Sequence, residues 1–282
     1  GIGLMAKFPV IISHAYQARR RYFEGKSMFL HEPDPKLSTA ENILRLIRPD
    51  GSFTDDEAKL LDRCLIIHAE HGGGNNSAFT AHVVSSSGTD TYSAIAAAVG
   101  SLKGPRHGGA NLKVVQMFND IKAHVTDWSD QDAVYQYLLR ILAGEAGDHS
   151  GLIYGMGHAI YTLSDPRAVS LKAAARPLAE KKGYLDEFNL IETVERLTPA
   201  AFAESRGMDS KVMCANVDLY SGLVYKMLGI PQEMFTPLFA TARIVGWIAH
   251  RMEEVAFGGR IIRPAYKALS KSAPYIPIDE RG

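Results

Sequence analysis

Apolar residues recur at three- and four-residue intervals through most of this chain, a spacing that predicts helices. Two of these helices carry an explicit start. Ser38-Thr-Ala-Glu41 and Thr54-Asp-Asp-Glu57 are capping boxes, in which a hydroxyl and a carboxylate each satisfy a backbone N–H at the helix start. Ile43, Leu44, Leu46 and Ile47 form the apolar face of the first helix, which ends near Pro49-Asp-Gly51. Leu60, Leu61, Cys64, Leu65 and Ile67 form that of the second, predicted to run into His68 and His71. Further helices are predicted over about 130–142, 165–182, 185–193, 216–228 and 231–255. Gly144 closes the first of these, and Pro231 suits the opening turn of the last. Strand signals are weak. His82-Val-Val-Ser85 and Ile261-Ile262 are candidates, but their alternation is not sustained. Ser272-Ala-Pro-Tyr-Ile-Pro-Ile278 reads as an extended arm, because two prolines forbid a helix there. The predicted class is all-α.

Composition narrows the picture. At 282 residues the chain can bury a large core as one or two domains. Its 31 basic and 31 acidic residues cancel, so no net field draws it to nucleic acid or to a membrane. Any anionic ligand must therefore be held by local arginines. Cys64 and Cys214 are too few for a disulfide framework, which fits a reduced, cytoplasmic environment. The apolar run Phe8-Pro-Val-Ile-Ile-Ser13 is far short of the roughly 20 residues a spanning helix requires. The chain starts at Gly1 rather than Met, so processing, a cloning scar or a fragment is expected.

Four short segments combine ionisable side chains with small residues. They are His71-Gly-Gly-Gly-Asn75, Gly104-Pro-Arg-His-Gly-Gly-Ala-Asn111, Gly155-Met-Gly-His-Ala159 with Asp165-Pro-Arg167, and Asn216-Val-Asp218. Repeated glycine beside histidine points to backbone brought close to a ligand. Carbon–carbon bond formation from a thioester needs a base for a carbon-bound proton, a donor for the enolate oxygen and a polarised carbonyl. One carboxylate and two histidines suffice. A dicarboxylate electrophile would add arginines that grip it through paired hydrogen bonds. Each residue also has a structural reading. Asp218 suits the first turn of a helix, where it complements the dipole. His107 suits a turn, Arg243 can snorkel from an apolar helix, and Arg263 can sit in a solvated loop. His68 and His71 lack the H-E-x-x-H pattern and neither cysteine joins them, so no metal set is expected. Gly155-Met-Gly157 is not followed by the rest of a G-x-G-x-x-G after a strand, so a Rossmann site is not expected either.

The order and spacing of these segments resemble the citrate synthase family. His71 to His107 is 36 residues, His158 to Arg167 is 9, and Arg243 to Arg263 is 20. The resemblance covers nearly the whole chain from Ala6-Lys-Phe-Pro9 onward. It implies a large helical domain, 1–108 and 229–282, with a smaller inserted helical domain, 109–228, that closes over substrate. It also implies that Asp218 is the base and that His107 donates to the acyl thioester oxygen. His158 would polarise the oxaloacetate carbonyl, while His71, Asn75, Arg167, Arg243 and Arg263 bind oxaloacetate. Leu152, Gly155, Gly157 and Lys211 would lie against coenzyme A. Arg263 would reach into a partner's site, which implies a homodimer with composite sites. Acetyl-CoA enters as a substrate, and no cofactor is implied.

The resemblance also implies an N-terminal segment ahead of Gly1, absent from this sequence, which puts independent activity in question. Citrate and 2-methylcitrate synthases share these residues and differ in a pocket where one methylene is worth only about 1–3 kcal/mol. Acetyl-CoA is the leading expectation and propionyl-CoA the alternative. Arg106 and Gly109 depart from the family's commoner apolar choices beside His107. Two rivals remain at this point: a citryl-CoA lyase module, and a non-catalytic helical subunit that binds coenzyme A.

Overall fold

The computed structural model describes residues 1–157, 161, 163–207, 213–265, 267, 269 and 273–281. Every regular element among them is helical. In chain order these are α1 (Ile2–Glu24), α2 (Thr39–Ile47), α3 (Asp55–His68), α4 (Asn76–Ser86), α5 (Thr91–Leu102), α6 (Ala110–His124), α7 (Gln131–Leu142), α8 (Pro166–Lys181), α9 (Leu185–Arg206), α10 (Asp218–Met227) and α11 (Phe235–Phe257). Both capping boxes form, on α2 and α3. No described helix is long and apolar enough to cross a membrane.

Several predicted boundaries move, each for a physical reason. His82–Ser85 is not a strand but part of the C-terminal half of α4, which packs against α5 and α11 through Ala78 and Ala81. Alanines that carry no long apolar stripe hid both α4 and α5 from a periodicity argument. Ile261 and Ile262 lie outside regular structure. α3 stops at His68, so His71 stands in the following loop rather than on the helix. α9 continues through Pro199 to Arg206, well past 193. Pro231 caps a 3-10 turn, Gln232–Met234, and α11 starts only at Phe235. Pro9 lies within α1, where the Ser13 hydroxyl donates to its carbonyl at 2.7 Å.

The helices pack in two groups. α4, α5 and α11 enclose a core of Ala78, Ala81, Ile95, Ala98, Ile244 and Trp247, with α1 laid against α11. α6 and α8 pack on α10, and α7 packs on α9. α3 touches both groups, meeting α11 on one side and α8 on the other. A buried ionic knot fixes this junction. Arg48 grips Glu57 with two hydrogen bonds of 2.9 Å, and Lys182, just beyond α8, reaches the same carboxylate. Arg48 and Lys182 also donate to the carbonyls of Leu228 and Met227, at 2.6 and 2.7 Å. The C-terminal end of α10 is thereby tied to the start of α3, and the opposite end of α10 carries Asp218.

Candidate active site

Asp218 is the first residue of α10, two residues later than predicted. Asn216 explains the shift. Its Oδ1 accepts from the Asp218 backbone N–H at 3.0 Å, while its Nδ2 donates to the Gly157 carbonyl at 3.0 Å. The same segment pairs with residues 155–157 through Asn216 N–H to the Gly155 carbonyl at 2.9 Å and Gly157 N–H to the Cys214 carbonyl at 2.7 Å. Gly155 and Gly157 are therefore brought beside the candidate base. Gly155 has to be glycine: its φ is 82°, and a Cβ there would lie 2.9 Å from the Leu219 Cα.

The Asp218 carboxyl is partly buried, and loss of water pushes its pKa up to about 6. Arg167 and Arg243 pull against that rise, while Asp165 reinforces it. Arg167 is aimed by the start of α8. Asp165 caps that helix, and its carboxylate accepts from the Arg167 backbone N–H at 2.9 Å, from Nε at 3.1 Å and from Nη2 at 2.8 Å. Arg243 does not snorkel; it is 1% exposed. Its Nε donates to the His68 carbonyl at 2.7 Å, Nη1 donates to Asn75 Oδ1 at 3.2 Å, and its guanidinium stacks 4.9 Å from the Phe239 ring centroid. Burial holds its pKa down to about 10, so it remains charged at neutral pH.

His107 sits in the turn before α6, and its Nε2 is 2.9 Å from Ser77 Oγ. That hydroxyl also receives the Trp247 indole N–H at 3.1 Å and lies 3.0 Å from Asn75 Oδ1. The Ser77 hydroxyl has a single hydrogen between Asn75 Oδ1 and His107 Nε2, and because Nε2 is taken up against that hydroxyl, Nδ1 is the ring nitrogen left to face a ligand. Burial, helped by the charge of Arg243, lowers the His107 pKa to about 4 and keeps the ring neutral. The glycines after it permit close packing: a Cβ on Gly109 would lie 2.8 Å from the Pro105 Cα. Asn111, further along the same motif, donates to the Ser221 hydroxyl and so ties α6 to α10.

The structure thus brings together Asp218, His107, Arg167, Arg243 and Asn75. His71 stands in the adjoining loop, its ring 6.5 Å from that of Tyr161. His68 is buried and donates from Nδ1 to the Cys64 carbonyl at 2.8 Å, which makes it a packing residue. Leu152 is 55% exposed in the turn ahead of residues 155–157. His158 and Lys211 lie outside the described residues. Arg263 is exposed and is not assembled with the others in this chain. Its neighbour Ile262 donates to Ser86 at the C-terminal end of α4, some 15 Å of helix from Asn75. Ser77, Trp247 and Asp165 were not read from the sequence as site residues. Asp165-Pro-Arg167 was visible, but not that the aspartate aims the arginine.

A carboxyl poised near neutrality, a neutral imidazole donor and two fixed guanidiniums define an acid–base centre built to receive an anion. The sequence model described as "Citrate synthase, C-terminal domain" matches residues 2–265. The citrate synthase of Synechocystis sp. is 35% identical over 284 residues, covering 99% of this chain and 64% of that protein. A 2-methylcitrate synthase of Corynebacterium glutamicum is 34% identical over 289 residues, covering 100% of this chain and 68% of that protein. Among solved structures, Thermoplasma acidophilum citrate synthase, in ternary complex with carboxymethyl coenzyme A and oxaloacetate, superposes with a TM-score of 0.77 at 29% identity. That match covers 99% of this chain and 68% of the other. The chain belongs to the citrate synthase family, and it spans somewhat under two thirds of the length of the first relatives it matches.

Proposed function

We propose that this chain carries the catalytic centre of an acyltransferase that condenses acetyl-CoA with oxaloacetate and water to give citrate and coenzyme A. The observation that carries the reading is the Asp218 carboxyl, raised to about 6 by burial and facing two arginines. Arg167 and Arg243, with His71 and Asn75, hold the two carboxylates of oxaloacetate. Bound dicarboxylate neutralises both guanidiniums, which removes their downward pull on Asp218 and makes it a stronger base. Oxaloacetate therefore binds before the thioester is activated.

Asp218 then takes a proton from the carbon next to the thioester carbonyl, and His107 Nδ1–H donates to that carbonyl's oxygen as the enol forms. His158 polarises the ketone of oxaloacetate. The enol carbon attacks it, and the new carbon–carbon bond gives a citryl thioester. Water cleaves the thioester to citrate and coenzyme A. Leu152, Gly155, Gly157 and Lys211 line the coenzyme A side. Residues 109–228 act as a small domain closing on the large one, 1–108 and 229–282. Two copies pair, so that Arg263 of each completes the other's site. Two buried free cysteines favour a cytoplasmic setting.

Coenzyme A thiol release by the purified chain, given oxaloacetate with acetyl-CoA or propionyl-CoA, tests the reading. Faster release from acetyl-CoA is expected. Faster release from propionyl-CoA would assign a 2-methylcitrate synthase instead. A folded chain that binds oxaloacetate without release would overturn the catalytic reading in favour of a silent subunit.

A further inference from the structure

Away from Asp218, α4 and α11 bring together two histidines distant in the chain. His82 Nε2 and His250 Nδ1 face each other at 3.0 Å. The outer nitrogen of each ring meets a carboxylate: His82 Nδ1 is 3.0 Å from Glu254 Oε2, and His250 Nε2 is 3.0 Å from Glu70 Oε1. A carboxylate only accepts, so each ring turns its N–H outward. Two neutral rings so arranged point lone pairs at each other across 3.0 Å. That contact calls for a cation. The Glu253 carboxylate, one helical turn from His250, lies 3.7 Å from the same Nδ1.

We propose that His82 Nε2, His250 Nδ1 and Glu253 form a binding site for a zinc-type divalent transition-metal ion. The three ligand atoms lie within 4.8 Å of one another. Two nitrogens on a tetrahedral zinc, each about 2.0–2.1 Å from the ion, stand about 3.3 Å apart, so the rings need to part by only a few tenths of an ångström. The outer shell is already in place. Metal-bound histidine characteristically donates its second N–H to a carboxylate, which fixes the tautomer and strengthens the ligand. Glu254 and Glu70 do this for both rings. The rings are mostly covered, with side chains 18% and 15% exposed, and the glycine turn after His71 passes over them. Glu253 is exposed and leaves an open side for entry and for a water ligand. Glu70 also accepts from the backbone N–H groups of His71 and Gly72, so the site is joined to the His71 loop. Neither the site nor its test depends on the acyl chemistry. Sequence reading weighed only His68 and His71 for a metal, because nothing in the chain links His82 to a histidine 168 residues later.

The test is titration of the untagged, metal-stripped chain with zinc at pH 8, followed by cobalt(II) as a spectroscopic probe. One ion per chain and visible cobalt bands of tetrahedral intensity are expected. His82→Gln and His250→Gln should each weaken zinc binding at least 100-fold, and Glu254→Gln about 10-fold, with unchanged far-ultraviolet circular dichroism. Zinc affinity unaltered in the His82→Gln/His250→Gln double variant would overturn the proposal. So would the absence of binding at pH 8, which would leave a shared proton as the cation between the rings.

Discussion

Two carboxylates in this molecule have been driven in opposite directions. Glu57 and Asp218 both sit at the start of a helix, and both lose water on folding. At Glu57 that loss is outweighed by hydrogen bonds from Arg48, Lys182 and the Thr54 backbone N–H, and the pKa falls to about 2. Asp218 feels Arg167 and Arg243 as nearby charges, but Arg167 is forked onto Asp165 and Arg243 is committed to His68 and Asn75. Its pKa rises to about 6. Burial alone does not make a base; burial with the cations held back does. One carboxylate stabilises the fold, and the other, the proposed base, is held near neutrality at a cost in stability.

The largest expected effect separates the two by activity. Asp218→Asn should lower coenzyme A release by about 10³-fold, in the range a positioned general base supplies, with oxaloacetate affinity preserved. Glu57→Gln should leave turnover per folded molecule unchanged and cost about 3 kcal/mol in denaturant unfolding, because it strips the charge that Arg48 and Lys182 were placed to meet. Intact stability in that variant would break the comparison from the structural side.

The dependence on pH then sharpens it, with opposite signs. Glu57 binds its proton more weakly folded than unfolded, so its contribution is complete above about 4.5 and is lost as pH falls towards 2. Asp218 binds its proton more tightly folded, so stability declines as pH rises from about 3.8 to about 6 and then levels off. Asp218→Asn should therefore stabilise the chain by on the order of 3 kcal/mol at pH 8 and leave it unchanged below pH 3.8. Unfolding curves of both proteins across pH 3–8 measure this. The smallest effect concerns the cap beside Glu57. Thr54→Ala removes the hydroxyl that accepts from the Glu57 N–H and should cost about 1 kcal/mol by thermal unfolding.

Much of this was legible in the chain, for reasons that also explain the rest. The capping boxes at Ser38 and Thr54 were readable because their chemistry is local and three residues long. The helical class followed from periodicity, yet α1 and α6 went unread, and α4 and α5 escaped it as well. Their buried faces are built from Ala78, Ala81, Ala94 and Ala98, which pack closely without standing out as hydrophobic. Proline misled once: Pro231 opened a 3-10 turn rather than α11, while α9 runs through Pro199 well past its predicted end at 193. Short motifs supplied the residues that meet at Asp218, since glycine-flanked His107 and Asp165-Pro-Arg167 carry their chemistry within a few positions. The arrangement that tunes them is not local. Ser77 links His107 to Trp247, 170 residues from Ser77, and no spacing rule reaches that far. His82 and His250 were hidden in the same way.

Asp218, held near neutrality with Arg167 forked onto Asp165 and Arg243 committed to His68 and Asn75, is the proposed base that starts the reaction. Side-by-side assay of coenzyme A release by the wild-type chain and Asp218→Asn, at pH 8 with saturating oxaloacetate and acetyl-CoA, tests it most directly. Release by the wild type with a loss of about 10³-fold in the variant is predicted. Equal rates in the two proteins, or no release from a folded wild-type chain that binds oxaloacetate, would contradict it.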